Sequence, residues 1–177
     1  MTILRRFVVL AVLLVVALPL RAEENGLDRF VGQWEGSGVT EKFSEEGYFT
    51  YTKRDLNVAF AETEKGFDIT WITGFRVEGD SGPVVLRKTT TLNFVEIAPG
   101  VYETAESPPW KRAHRWARLS EGTLIIYIFE VDEAGLYEIS RYVRTVSDDG
   151  VMQLGFSRDM DGRPVRQVTG TLTRTDG

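Results

Sequence analysis

The sequence predicts an all-β protein, an antiparallel up-and-down barrel of about eight to ten strands behind a short N-terminal helical turn. Three observations predict it. Apolar and polar residues alternate with a period of two through most of the chain, as half-buried strands require. β-Branched and aromatic residues dominate those runs, and no sustained helical periodicity competes with them. Clusters of glycine, proline and acid interrupt the runs roughly every dozen residues, the rhythm of successive hairpins.

The elements follow in order. Arg5 and Arg6, the apolar run from Phe7 to Leu18, and Pro19 to Ala22 ahead of Glu23 and Glu24 have the three-part layout of a secretory signal. That run is shorter than the ~20 residues with which a helix crosses a bilayer. The chain therefore divides into a signal peptide over 1–22 and one domain over 23–177, predicted to be periplasmic or secreted with no integral membrane span after processing. Leu27, Phe30 and Val31 have the i, i+3, i+4 spacing of a single helical turn laid across an apolar opening.

Strands account for the rest. Phe49 and Tyr51 share a face with Lys53; Phe67, Ile69 and Trp71 alternate with Asp68 and Thr70; Leu92 and Phe94 alternate with Thr91 and Asn93. Leu124 to Phe129 is apolar on both faces, which suits a central strand or one covered by another element. Segments 136–146, 151–158 and 165–174 complete the set. An open meander of this length would expose two unpaired edges, which closure into a barrel removes. A two-sheet sandwich is the rival that local pattern leaves open.

Composition narrows the function. None of the 26 acidic residues and three of the 21 basic ones lie in the first 22 positions, so removing that segment moves the net charge from −5 to −8. Such a surface does not suit a nucleic-acid binder. With no cysteine, the domain is held by core burial alone, without disulfides. The 155 residues left after processing suffice for one core.

At the first strand, Gly32-Gln33-Trp34-Glu35-Gly36-Ser37-Gly38 resembles the Gly-x-Trp signature that opens lipocalin and calycin barrels, and also the start of nitrobindin-type barrels. The resemblance implies that Trp34 plugs one end of a barrel and that an arginine of the last strand, here Arg174, packs over it. It also implies haem in the nitrobindin-type case, through a histidine near the C-terminus. This sequence has no histidine there; its single one is His114, in mid-chain. Independently of any family, glycines flanking Trp34 let backbone approach and bend beneath the indole.

No catalytic constellation stands out, and no cofactor or metal is predicted. One histidine and no serine elbow leave no triad. Asp159-Met160-Asp161-Gly162 lacks the later ligands of a calcium loop and reads as a hairpin turn. The distinctive segment is 108–118, basic and aromatic in an acidic protein. It places Arg112, His114, Trp116 and Arg118 on one face, and Ala113, Arg115, Ala117 and Leu119 on the other. Facing inward, the first set would suit an amphipathic ligand with an anionic head, joined by Tyr142 and Arg144; facing outward, it would pair with surface acids. The expected lining is Phe49, Tyr51, Phe67, Ile69, Trp71, Leu92, Phe94, His114, Trp116, Tyr142 and Arg144. The expected function is binding of a small hydrophobic or amphipathic partner such as a fatty acid or other lipid-like molecule. The alternatives are a non-enzymatic envelope or interaction protein with a filled barrel, a carboxylate-based enzyme, and a haem binder.

Overall fold

Ten strands succeed one another: β1 (Gly32–Phe43), β2 (Phe49–Thr63), β3 (Gly66–Gly79), β4 (Gly82–Ala98), β5 (Val101–Thr104), β6 (Ala113–Ser120), β7 (Thr123–Val131), β8 (Tyr137–Val146), β9 (Val151–Met160) and β10 (Arg163–Thr175). The computed structural model describes residues 26–43, 49–79, 82–104 and 113–175. The signal expected over 1–22 lies outside them, as do residues 108–112 of the basic–aromatic segment. Each strand pairs antiparallel with its sequence neighbours, and β1 pairs with β10. The sheet is thus a closed up-and-down barrel rather than a sandwich, with no free edge. Among the described residues no helix is long and apolar enough to cross a membrane.

Turn chemistry sets the hairpins. Glu121-Gly122 between β6 and β7 and Asp161-Gly162 between β9 and β10 both have positive φ at the two central residues. That is the geometry whose twist matches a two-residue hairpin. The expected N-terminal helix is a single turn over 26–30, closed by the Phe30 N–H donating to the Leu27 carbonyl at 2.8 Å. It goes no further because Gly32, at φ 123, turns the chain directly into β1.

Closure of the barrel depends on bare backbone. A Cβ at Gly36 would collide with the Thr171 carbonyl, and one at Gly170 would lie 2.8 Å from the Ser37 carbonyl oxygen. Only glycine lets β1 and β10 coil this tightly.

Alternation then decides the core. Inward positions near the start of β1 and the end of β2 carry Trp34, Val58 and Phe60; their neighbours carry Phe67, Ile69, Phe94, Tyr102, Leu124, Met152 and Leu172, all buried. The rings form a chain: Phe30 to Phe60 at 5.9 Å, Phe60 to Phe67 at 6.3 Å, Phe67 stacked on Phe94 at 4.9 Å and edge-on to Tyr102 at 5.1 Å. Trp34, with 0% exposure, donates Nε1–H to the Phe30 carbonyl at 2.7 Å. Arg174, its register partner, lies over the indole at 4.8 Å and donates to the Arg29 carbonyl at 3.0 Å. The N-terminal turn, Trp34 and Arg174 close this end of the barrel.

Candidate functional site

Away from the closed end, the same inward parity that carries the core begins to carry charge. Arg54 lies two, four and six residues before Leu56, Val58 and Phe60 on β2; Arg158 continues the series Met152, Leu154, Phe156 on β9; Arg166 precedes Val168, Gly170 and Leu172 on β10. On β8 the inward series runs Glu138, Ser140, Tyr142, Arg144, Val146. Arg54, Trp71, Leu92, Tyr142, Leu154 and Arg166 face inward and are nevertheless only half-buried. Solvent therefore reaches this half of the interior.

The register places these groups in layers. Arg158 is opposite both Ser140 and Arg166; Phe156 is opposite Tyr142 and Val168; Arg144 is opposite Leu154. Aromatic rings form the middle layer, with Trp71 5.7 Å and Phe156 4.7 Å from Tyr142. The Arg158 and Arg166 guanidiniums lie 5.8 and 5.5 Å from the Phe156 ring. Deeper in, the Arg144 guanidinium sits 5.3 Å from the Tyr142 ring and 5.5 Å from that of Phe60, which belongs to the packed core.

Two of the inner carboxylates are already engaged. Glu138 pairs with Arg158 at 3.1 Å, where Arg158 also donates to Ser140 Oγ at 3.2 Å, and Glu130 pairs with Arg115 at 3.1 Å. No ion pair among the described residues reaches Arg54, Arg144 or Arg166. Nε of all three, and Nη1 of Arg144, are buried without a hydrogen-bond partner. Buried donors left in this condition are costly in a low-dielectric interior, and an acid group from outside would satisfy them.

Burial and mutual repulsion act on these groups. Burial brings the Arg144 guanidinium down to about 10, the neighbouring Tyr142 working weakly the other way. It is 3% exposed and still charged at neutral pH. Arg166 is lowered by burial first, and then by the charges of Arg54 and Arg158. The Tyr142 hydroxyl is raised by burial, against the pull of Arg144, Arg158 and Arg166.

The residues expected from sequence separate into three groups. Trp71, Leu92, Tyr142 and Arg144 lie together in the cationic half. Phe67, Ile69 and Phe94 belong to the packed end, where they touch one another rather than an accessible space. Tyr51, His114 and Trp116 correct the expectation that they line the interior. Tyr51 is 67% exposed. On β6 it is Ala117 that is buried, so His114 and Trp116 point out, stacked at 5.1 Å on each other and, for Trp116, at 4.9 Å on Tyr127. His114 Nε2 lies 3.9 Å from Glu103 on this outer wall, away from any haem position inside the barrel. The Phe49 side chain lies outside the described residues. Arg54, Phe156, Arg158 and Arg166 were not expected; their even spacing from the core residues of their own strands is the signal that could have found them.

No protein-family model and no curated protein matches the chain. Among solved structures it is similar to an S-type phycobiliprotein lyase, CPES, from Guillardia theta. The TM-score is 0.53 at 9% sequence identity, over 87% of this chain and 93% of that one. At that identity the likeness shows a shared fold, here the closed ten-stranded antiparallel β-barrel.

Proposed function

We propose that this chain is an exported, lipocalin-like binding protein for a small amphipathic organic anion. The apolar body of the ligand lies against Trp71, Tyr142 and Phe156, and its acid group meets the inner guanidiniums. One observation carries the reading: Arg54, Arg144 and Arg166 face into the solvent-reached half of the barrel with buried, unpartnered N–H groups. A solidly filled barrel would bury Arg54, Trp71, Leu92, Tyr142, Leu154 and Arg166 as fully as the aromatic core of the closed end, and these six are half-buried. The likeness to the phycobiliprotein lyase supports the scaffold; the ligand class rests on the arginines. Export rests on the layout of residues 1–22.

Calorimetric titration of the processed domain with decanoate and with decanol, which share a chain and differ in charge, tests this. A charge-assisted hydrogen bond contributes roughly 1.5–3 kcal/mol, so decanoate is expected to bind about tenfold or more tightly than decanol. Equal affinities, or no saturable binding of decanoate, would overturn the reading.

A further inference from the structure

The inner cations occupy two levels rather than one. Arg158 and Arg166 are register partners, level with Ser140. Arg144 lies four residues further along β8, ~13 Å of strand at about 3.3 Å per residue. The Tyr142–Phe156 layer separates the two levels. The charges that depress Arg166 are those of Arg54 and Arg158. Arg144 reaches down to the Phe60 ring, while Arg158 and Arg166 gather around Phe156. A ligand with a single acid can satisfy one level and leaves the other unbalanced.

Resting on the function proposed above, we infer that the ligand carries two acidic groups separated by an apolar or aromatic middle. One acid binds Arg144 at the bottom of the accessible space, the other binds Arg166 beside Arg158 nearer the mouth, and the middle crosses the Trp71–Tyr142–Phe156 belt. Among the described residues Arg158 has its own carboxylate, Glu138, while Arg166 opposite it has no ion pair, so the upper level sets two guanidiniums against one internal acid. A carboxylate between two guanidiniums is a strong charge-assisted arrangement. At the lower level, Arg144 Nε and Nη1 offer two donors to a carboxylate.

Four probes of equal chain length separate the outcomes: decanol, decanoate, decanedioate and decyl phosphate, titrated calorimetrically into the processed domain. Decanedioate is expected to bind about tenfold or more tightly than decanoate. In Arg144→Gln and in Arg166→Gln that advantage is expected to vanish, the two acids binding alike, while circular dichroism and thermal unfolding confirm that each variant is folded. Decanedioate no tighter than decanoate in the wild type would overturn the two-acid inference and leave single-acid binding standing. Decyl phosphate tighter than decanedioate would overturn it in favour of one doubly charged head. Failure of decanoate to outbind decanol would remove the function on which the inference rests.

Discussion

The two ends of this barrel are built from the same alternation and reach opposite results. At the closed end the inward positions are mainly apolar, the rings of Phe30, Phe60, Phe67, Phe94 and Tyr102 touch in sequence, and Trp34 is capped by Arg174. At the other end the inward positions hold Arg54, Arg144, Arg158 and Arg166, and the rings of Trp71 and Tyr142 remain half-buried. Burial stabilises the first region directly. The second holds buried charge that lowers stability unless something outside the chain neutralises it. The contrast teaches where the fold is secured and where it is kept open for a ligand.

Breaking the packed end has the largest expected effect. Trp34→Ala removes a fully buried indole together with the surface on which Arg174 rests, and is expected to cost about 4 kcal/mol in urea unfolding. A loss under about 1 kcal/mol would show that the end is not packed as described. The opposite sign is expected in the cationic half. Arg144→Met replaces a buried, unbalanced charge with an apolar side chain and should raise stability by on the order of 2 kcal/mol while abolishing the advantage of decanedioate over decanoate. A destabilised variant would mean that Arg144 is a satisfied structural residue.

The pH dependence follows from the same group. Because its folded pKa is lowered to about 10 from the usual guanidinium value, the unfolded chain holds the Arg144 proton more tightly. Its destabilising contribution is full below about pH 10, and it is relieved as pH rises from there toward the ordinary guanidinium pKa. Relative to Arg144→Met, the wild type should therefore gain stability across that window; a stability difference that stays flat there would contradict the burial of this charge.

Smaller still is the effect expected outside the barrel. Trp116→Ala loses stacking on Tyr127 and His114, about 1 kcal/mol, and should leave decanoate affinity unchanged. A drop in affinity would place that face in the site after all.

The contrast also explains what the sequence made legible. Hairpin turns such as Glu121-Gly122 and Asp161-Gly162 announce themselves because positive φ restricts the residue types that fit. Trp34 and its glycines were readable because close backbone approach has a compositional mark. The phase of individual strands was less so. In β2, Phe49 and Tyr51 share one parity while Leu56, Val58 and Phe60 share the other. The second set wins because it meets Trp34 and Phe67 across the barrel's closed end. In β6, Ala117 turns inward because its register partners Tyr102 and Ile126 already fill that level, and this sends the larger Trp116 outside. Neither constraint exists until strands are paired. The arginine cluster was hidden for a related reason. Arg54, Arg158 and Arg166 are far apart in sequence, each reads alone as a solvated residue, and only closure of β10 onto β1 puts them in one space.

The central claim is that solvent enters the upper interior and finds positive charge there. Fluorescence quenching of the Trp110→Phe, Trp116→Phe double variant tests it most directly, since Trp34 is fully buried and Trp71 remains to report on that interior. Iodide is expected to quench Trp71 several-fold more effectively than caesium, even though the domain as a whole is acidic and would favour the cation. Equal quenching by the two ions, or none by either, would contradict it.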